Sequence, residues 1–145
     1  MTAHVEEMKS LHTALIDSRN GYQKALEDAE GRGLTPLFRD MVARRGEDAR
    51  ELETLLRSAG EEPDTDGSFM STVHRTIMSV RSLFGGIDES ILPGLIDGEE
   101  RIRGYYDDAI KTVPDGSAEH QVLTAQRHEL DGIIADMKAR TFAAS

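Results

Sequence analysis

Apolar residues recur at three- and four-residue steps along nearly the whole chain, and alternation over five or more residues is hard to find. That period belongs to one face of an α-helix, so the sequence predicts an all-helical fold. Four prolines mark the joints. Pro36 in "GRGLTPLF" follows Thr35, whose side chain can cap a first turn, and proline at the first helical position gives up a donor that has no partner there. Pro63 in "AGEEPDTDGS" and Pro114 in "TVPDGS" lie among turn formers that close one helix before the next begins. Pro93 in "GGIDESILPGLIDGEE" is tolerated in a first turn if Ser90 is the N-cap, and predicts a kink if Asp88 is. The expected elements are helix A near 3–30, B near 36–59, a shorter helix near 68–84, C near 90–112 and D near 117–140.

The four long segments are matched in length, roughly 35–40 Å each, as partners in a bundle must be. Short joints predict an A–B hairpin and a C–D hairpin. About thirty residues separate B from C, too many for a tight turn, and they include an amphipathic stretch with Phe69, Val73, Ile77, Val80 and Phe84 on one side. That stretch is expected to form a short crossover helix between B and C, packed across a single domain that spans residues 1–145.

Seventeen basic residues against twenty-seven acidic ones give a formal charge of −10. Such a chain repels phosphate backbones and anionic lipid, and no basic stripe offsets the repulsion, so neither nucleic acid nor a membrane surface is an expected partner. The start, "MTAHVEEMKS", lacks the basic and apolar regions of a secretory signal, and no apolar run is long enough to span a bilayer. A soluble cytoplasmic protein is the expectation. The absence of cysteine removes disulfides, thiolate metal sites and a cysteine nucleophile.

Each apolar stripe turns polar at mid-length. Helix A presents Met8, Leu11, Leu15, Tyr22 and Leu26, interrupted by Ser18 and Arg19; helix B presents Phe38, Met41, Leu52 and Leu55, interrupted by Arg45 and Asp48. In C, Gly98 and Glu99 interrupt Ile91, Leu95, Ile102, Tyr106 and Ala109; in D, Gln126 and Glu129 interrupt Val122, Leu130, Ile133 and Met137. Four interruptions at one height predict a polar layer inside an apolar bundle, and carboxylates buried there need a cation, a metal or solvent.

Two hairpins joined by a crossover, with carboxylates at mid-bundle, resemble the ferritin-like fold, an antiparallel four-helix bundle whose hairpins are related by a pseudo-twofold axis. The echo between "LIDSRNGYQKALEDA" from Leu15 and "LIDGEERIRGYYDDAI" from Leu95 fits helix A matching helix C, although the second copy is three residues longer between Leu-Ile-Asp and Gly-Tyr. More closely, "LIDSRNGYQKALEDAE", "AGEEPDTDGSFMSTVHR" and "GEERIRGYYDDAI" resemble a bacterial family of small, functionally uncharacterised ferritin-like bundles, some of them associated with stress responses. The likeness covers residues 8–113, with weaker support from helix D.

The resemblance raises the question of a metal centre. Di-iron ferritin-like proteins take a Glu from each of two helices and a Glu-x-x-His from each of the other two, because that spacing turns both side chains toward the metals. No Glu-x-x-His occurs here: Lys9, Ser71, Ser117 and Ala125 stand three residues before His12, His74, His120 and His128. A degenerate carboxylate site drawn from Asp48, Glu51, Glu99, Glu100, His128 and Glu129 is the candidate set, against the plainer reading that Glu51, Glu100 and His128 lie on solvated flanks. Arg19 and Arg45 are then expected to balance Asp48, Glu99 and Glu129 where metals would otherwise do so. Gly21, Gly46, Gly104 and Gly132 fall inside helices and are expected to permit close helix approach or to face a tyrosine.

The leading expectation is a bundle with no resident cofactor, non-catalytic or weakly metal-binding, forming a homo-oligomer with a dimer favoured. Its stress association is implied by the resemblance alone. The alternative is a di-metal oxidase or iron-handling protein that holds iron or manganese on an unconventional ligand set.

Overall fold

The structure, a computed structural model, describes residues 2–29, 33–63 and 91–144. The described residues form four helices and no strand: α1 (Thr2–Ala29), α2 (Thr35–Ser58), α3 (Leu92–Thr112) and α4 (Ala118–Ala144). They correspond to the expected A, B, C and D; the expected crossover helix at 68–84 lies outside the described residues.

The helix ends follow from local sequence. Thr35 is the first residue of α2 rather than its cap, and Leu34 holds the cap position, so Pro36 still falls where a missing N–H costs nothing. At the other end Gly60 adopts φ +85, its N–H reaches Arg57 O (3.0 Å) and the Glu61 N–H reaches Leu56 O (2.9 Å). That left-handed turn satisfies two carbonyls that the helix leaves open. Pro93 sits in the first turn of α3, as the later of the two starts requires. The Ser117 hydroxyl accepts from the His120 N–H (3.1 Å), an N-cap for α4 one residue ahead of Ala118.

Antiparallel pairing shows in the contacts. Tyr22 near the end of α1 meets Phe38 near the start of α2, with ring centroids 6.1 Å apart, while His12 reaches back to Glu53. α1 packs on α2 and α3, and α4 packs on α3 and more sparingly on α2, so α1/α4 and α2/α3 are the diagonals. α2 ends beside the start of α1, where Lys9 meets Glu61 (3.4 Å). α3 begins at the opposite end, since Glu100 meets Lys138 (3.1 Å) late in α4, and late α4 faces early α2. The connection from α2 to α3 therefore joins opposite ends of the bundle.

The sequence echo is resolved by burial. An offset of eighty residues superimposes most of the buried positions, Leu11 on Ile91, Leu15 on Leu95, Ile16 on Ile96, Ser18 on Gly98, Tyr22 on Ile102 and Ala29 on Ala109, though buried Gly21 and Ala25 fall on exposed Arg101 and Tyr105. Leu-Ile-Asp is thus the true register. The Gly-Tyr match is not, because Gly21 and Tyr22 are buried whereas Gly104 and Tyr105 are exposed.

Helix α4 turns differently from expectation. Leu123 and Ile134 are its buried residues with Leu130 and Met137, while Val122 and Ile133 are only half-buried. Apolar residues occupy two adjacent faces of this helix, so spacing alone does not choose between them. Along the outer α3–α4 seam, Asp107, Arg127, Asp131, Arg103, Glu100 and Lys138 form a continuous ladder of alternating charge. Each exposed pair is worth under about 1 kcal/mol, and a shared network adds to that.

Gly104 and Gly132 are exposed, and a Cβ added at either meets nothing within 4 Å, so the expected close approach does not occur there. Gly104→Ala and Gly132→Ala should each stabilise the fold by about 0.5–1 kcal/mol, because alanine removes backbone freedom from the unfolded chain. Urea unfolding of each variant measures this, and a loss of stability at either position would show that its backbone is used in some other way.

Candidate functional site

Each helix contributes to a polar layer at mid-bundle. Ser18 and Tyr22 come from α1, Arg45 and Asp48 from α2, Glu99 and Tyr106 from α3 and Gln126 from α4, and all seven are buried. The stripes that carry them are otherwise apolar, so packing of Leu11, Leu15, Leu52 and Leu95 holds the polar groups in place.

Arg45 is the centre of the layer. Its guanidinium grips both oxygens of Glu99 across the α2/α3 diagonal, with Nη1 donating to Oε2 (3.1 Å) and Nη2 donating to Oε1. Nη1 also donates to Ser18 Oγ (2.8 Å), and the Tyr22 hydroxyl donates to Glu99 Oε2 (2.7 Å). Burial works against the charge on Arg45, but the Glu99 carboxylate in contact outweighs it, and the guanidinium is held more firmly protonated than usual. The Tyr22 phenol is pushed well above its ordinary range by burial and by the adjacent Glu99 carboxylate, with Arg45 opposing. It serves as a donor.

A second chain of bonds crosses from α3 to α4 and α2. Tyr106 donates to Gln126 Oε1 (2.7 Å), and Gln126 Nε2 donates to Glu51 Oε1 (2.8 Å) and to the Asp48 carbonyl (3.3 Å). Burial, with Asp48 adding to it, moves the Tyr106 phenol upward as well.

Asp48 stands apart. It is 7% exposed, and among the described residues its carboxyl has no hydrogen bond or ion pair. Burial raises it from the ordinary 3.8 to about 7; Arg45 pulls it down, while Glu129 and Glu51 push it up. Two carboxylates thus flank one buried guanidinium, and only Glu99 is gripped.

The candidate metal residues divide. Glu99 is buried and engaged by Arg45, and Asp48 is buried at the α2–α4 seam beside the exposed Glu51 and Glu129. Glu129 pairs with Arg44 (2.7 Å) on the surface. Glu100 belongs to the α3–α4 ladder, and His128 is exposed on α4. Among the described residues no three His, Asp or Glu side chains are arranged to hold a metal ion. Of the two arginines expected in the layer, Arg45 is there. Arg19 is only half-buried and donates to its neighbour Asn20 (3.2 Å), because its position on α1 lies toward the helix edge.

One buried polar group escapes the spacing argument: His12 is 1% exposed, with Nε2 2.9 Å from Glu53 Oε2. Its adjacency to Leu11 and its position one turn after Met8 are the signals that the sequence offers for it.

Arg45→Met should strand Glu99 and destabilise the fold by roughly 3–5 kcal/mol, and adding Glu99→Gln should recover a good part of that. Chemical denaturation of the two single variants and the double variant tests this; strictly additive losses would mean the two side chains do not interact.

Asp48 generates a pH dependence of opposite sign to that of a salt-bridged acid. Its folded value exceeds its unfolded one, so the folded chain binds the extra proton, and its contribution to stability falls as pH rises from about 4 to about 7. Asp48→Asn should therefore stabilise the protein at pH 8 by roughly 1–3 kcal/mol, a figure reduced for partial solvent screening, and by almost nothing near pH 4. Denaturation at the two pH values distinguishes this from a gain that is constant with pH.

Among the described residues no helix is long and apolar enough to cross a membrane. No curated protein and no solved structure matches the chain. Residues 3–112 match the model of a domain of unknown function, DUF2383, and with most of its length covered the chain belongs to that family.

Proposed function

We propose that this chain is a ferritin-like bundle in which a buried arginine does the electrostatic work of a di-metal centre, and that it acts without a resident cofactor. The observation that carries this reading is that both oxygens of Glu99 are committed to Arg45, with Tyr22 adding a further donor. A ligating carboxylate needs free lone pairs, and a guanidinium in contact repels a cation. The residues of the layer therefore do not fit an iron or manganese pair.

The ferritin-like assignment is supported by the two antiparallel hairpins, the α2/α3 diagonal, and the eighty-residue offset that relates the burial patterns of α1 and α3. The crossover helix at 68–84, a cytoplasmic location, a homo-oligomer with a dimer favoured, and a stress-associated role complete the proposal. These rest on the sequence and its family resemblance.

A weaker metal-binding reading has one observation on its side, the carboxyl of Asp48 next to Glu51 and Glu129, unpaired among the described residues. Protein grown with iron and manganese available and purified without chelator should carry well under one transition metal per chain by elemental analysis. Two tightly held metals per chain would overturn the proposal in favour of a di-metal oxidase. A fractional metal content that disappears in Asp48→Asn would establish the weak site.

A further inference from the structure

Four Asp-Gly or Asn-Gly pairs occur among the described residues, and three of them lie inside helices: Asn20–Gly21 in α1, Asp97–Gly98 in α3 and Asp131–Gly132 in α4. A further pair, Asp66–Gly67, lies outside the described residues. The fourth, Asp115–Gly116, forms the turn between α3 and α4. There the Asp115 side chain is fully exposed, in a loose ion pair with His120 Nε2 (3.7 Å). Gly116 adopts φ +78, the turn closes through the Ser117 N–H on Pro114 O (3.2 Å), and the Gly116 N–H itself makes no hydrogen bond among the described residues. An unbonded amide thus follows an accessible carboxyl.

We propose that Asp115–Gly116 is a self-modification site, where the chain converts aspartate to isoaspartate through a cyclic imide with water as the co-reactant. The Gly116 nitrogen attacks Asp115 Cγ, a C–N bond forms, and the amide proton leaves with the carboxyl hydroxyl as water. Water then opens the five-membered ring. Addition at the Asp115 main-chain carbonyl breaks its bond to the Gly116 nitrogen and leaves the chain running through the β-carbon; addition at the side-chain carbonyl restores aspartate. One water leaves, one enters, and no electrons are exchanged.

The fold selects this pair from the four. All share a glycine, whose missing Cβ leaves the nitrogen free to approach and the backbone free to turn. In the three helices each glycine N–H is donated along the helix, and the dihedrals that bring the nitrogen toward the side chain are reached only when the helix opens. Asp131 is further held by Arg103 (3.1 Å) and Arg127 (2.9 Å). The turn needs no such opening. Its product changes the joint, because isoaspartate adds one main-chain atom between buried Val113 and Ser117, whose Oγ accepts from the His120 N–H (3.1 Å) as the α4 cap. The buried end is the harder to move, so the displacement falls on the cap and the first turn of α4 frays.

The test incubates the full chain at neutral pH in heavy-oxygen water and maps it, position by position, with a protease that cuts before aspartate and not before isoaspartate. Isoaspartate carrying heavy oxygen should accumulate at Asp115 roughly ten times faster than at Asp97 or Asp131, with Asn20 intact, and in urea that order should collapse. Asp115→Asn should lose ammonia from the folded chain at that position while Asn20 keeps its own. In the modified chain the His120 amide should exchange with solvent about fivefold faster, the worth of one N-cap. Equal rates at Asp115, Asp97 and Asp131 in the folded chain, or a rate at Asp115 that rises about tenfold in urea, would overturn the proposal. So would an Asp115→Asn chain that loses ammonia no faster there than at Asn20. An unchanged His120 exchange rate after modification would overturn the effect on α4.

Discussion

Arg45 and Glu99 join two helices, α2 and α3, whose backbones do not approach one another. α2 and α3 are diagonal and run in the same direction, and no hairpin sets their relative height. Removing both charges from water costs several kcal/mol per ion, so the pair adds little over a well-packed apolar one. What it supplies is a penalty for error. Sliding α3 by one turn, about 5.4 Å, would leave two buried charges unmatched. Leucine and isoleucine can repack after such a slip at smaller cost, and a guanidinium facing no carboxylate cannot. Because Ser18 and Tyr22 bond to the same pair, the height of α1 is set by the same contact.

The layer is balanced on one side only. Glu99 receives three hydrogen bonds, from Arg45 twice and from Tyr22. Asp48, one turn along α2 from Arg45, receives none among the described residues, and Glu129 and Glu51 push against its charge while Arg45 and Arg44 favour it only through space. Arg45 directs its hydrogen bonds to Glu99 and Ser18 and gives none to Asp48, so the second carboxyl meets the cost of burial by keeping its proton at higher pH. The asymmetry follows from donor supply: Gln126, a buried side-chain amide beside it, spends its N–H groups on Glu51 and on the Asp48 backbone.

Periodicity carries much of this architecture. The proline joints and the three-to-four spacing delimit the four helices to within a few residues, and the interrupted stripes single out Ser18, Arg45, Asp48, Glu99 and Gln126, all of them buried. The same reasoning fails where two faces of a helix are equally apolar, as in α4, where Leu123 and Ile134 displace Val122 and Ile133 from the core and turn Glu129 to the surface with them. It also cannot separate Arg19 from Arg45. Both interrupt a stripe, and only the angle of each helix to its neighbours decides which guanidinium reaches Glu99. Glu51 and His12 are illegible for the complementary reason, since their roles are set by partners on other helices, Gln126 and Glu53, rather than by their own spacing.

The unequal seams of the bundle share an origin with the unequal layer. α1 and α3 repeat one another in burial over most of their length, and each packs closely on its hairpin partner. α2 and α4 do not repeat: α2 carries Arg45 and Asp48 at its buried middle, whereas α4 carries Gln126 and Leu130. Asp48, Glu51 and Glu129 gather on the α2–α4 seam, and beyond them a groove of about 300 Å³ opens between Leu37 and Met41 of α2 and Ile133 and Met137 of α4. A tighter seam would bury Asp48 more completely and raise the cost of its charge. The sparse packing of α2 on α4 leaves Glu51 and Glu129 exposed to solvent, which screens their repulsion of Asp48.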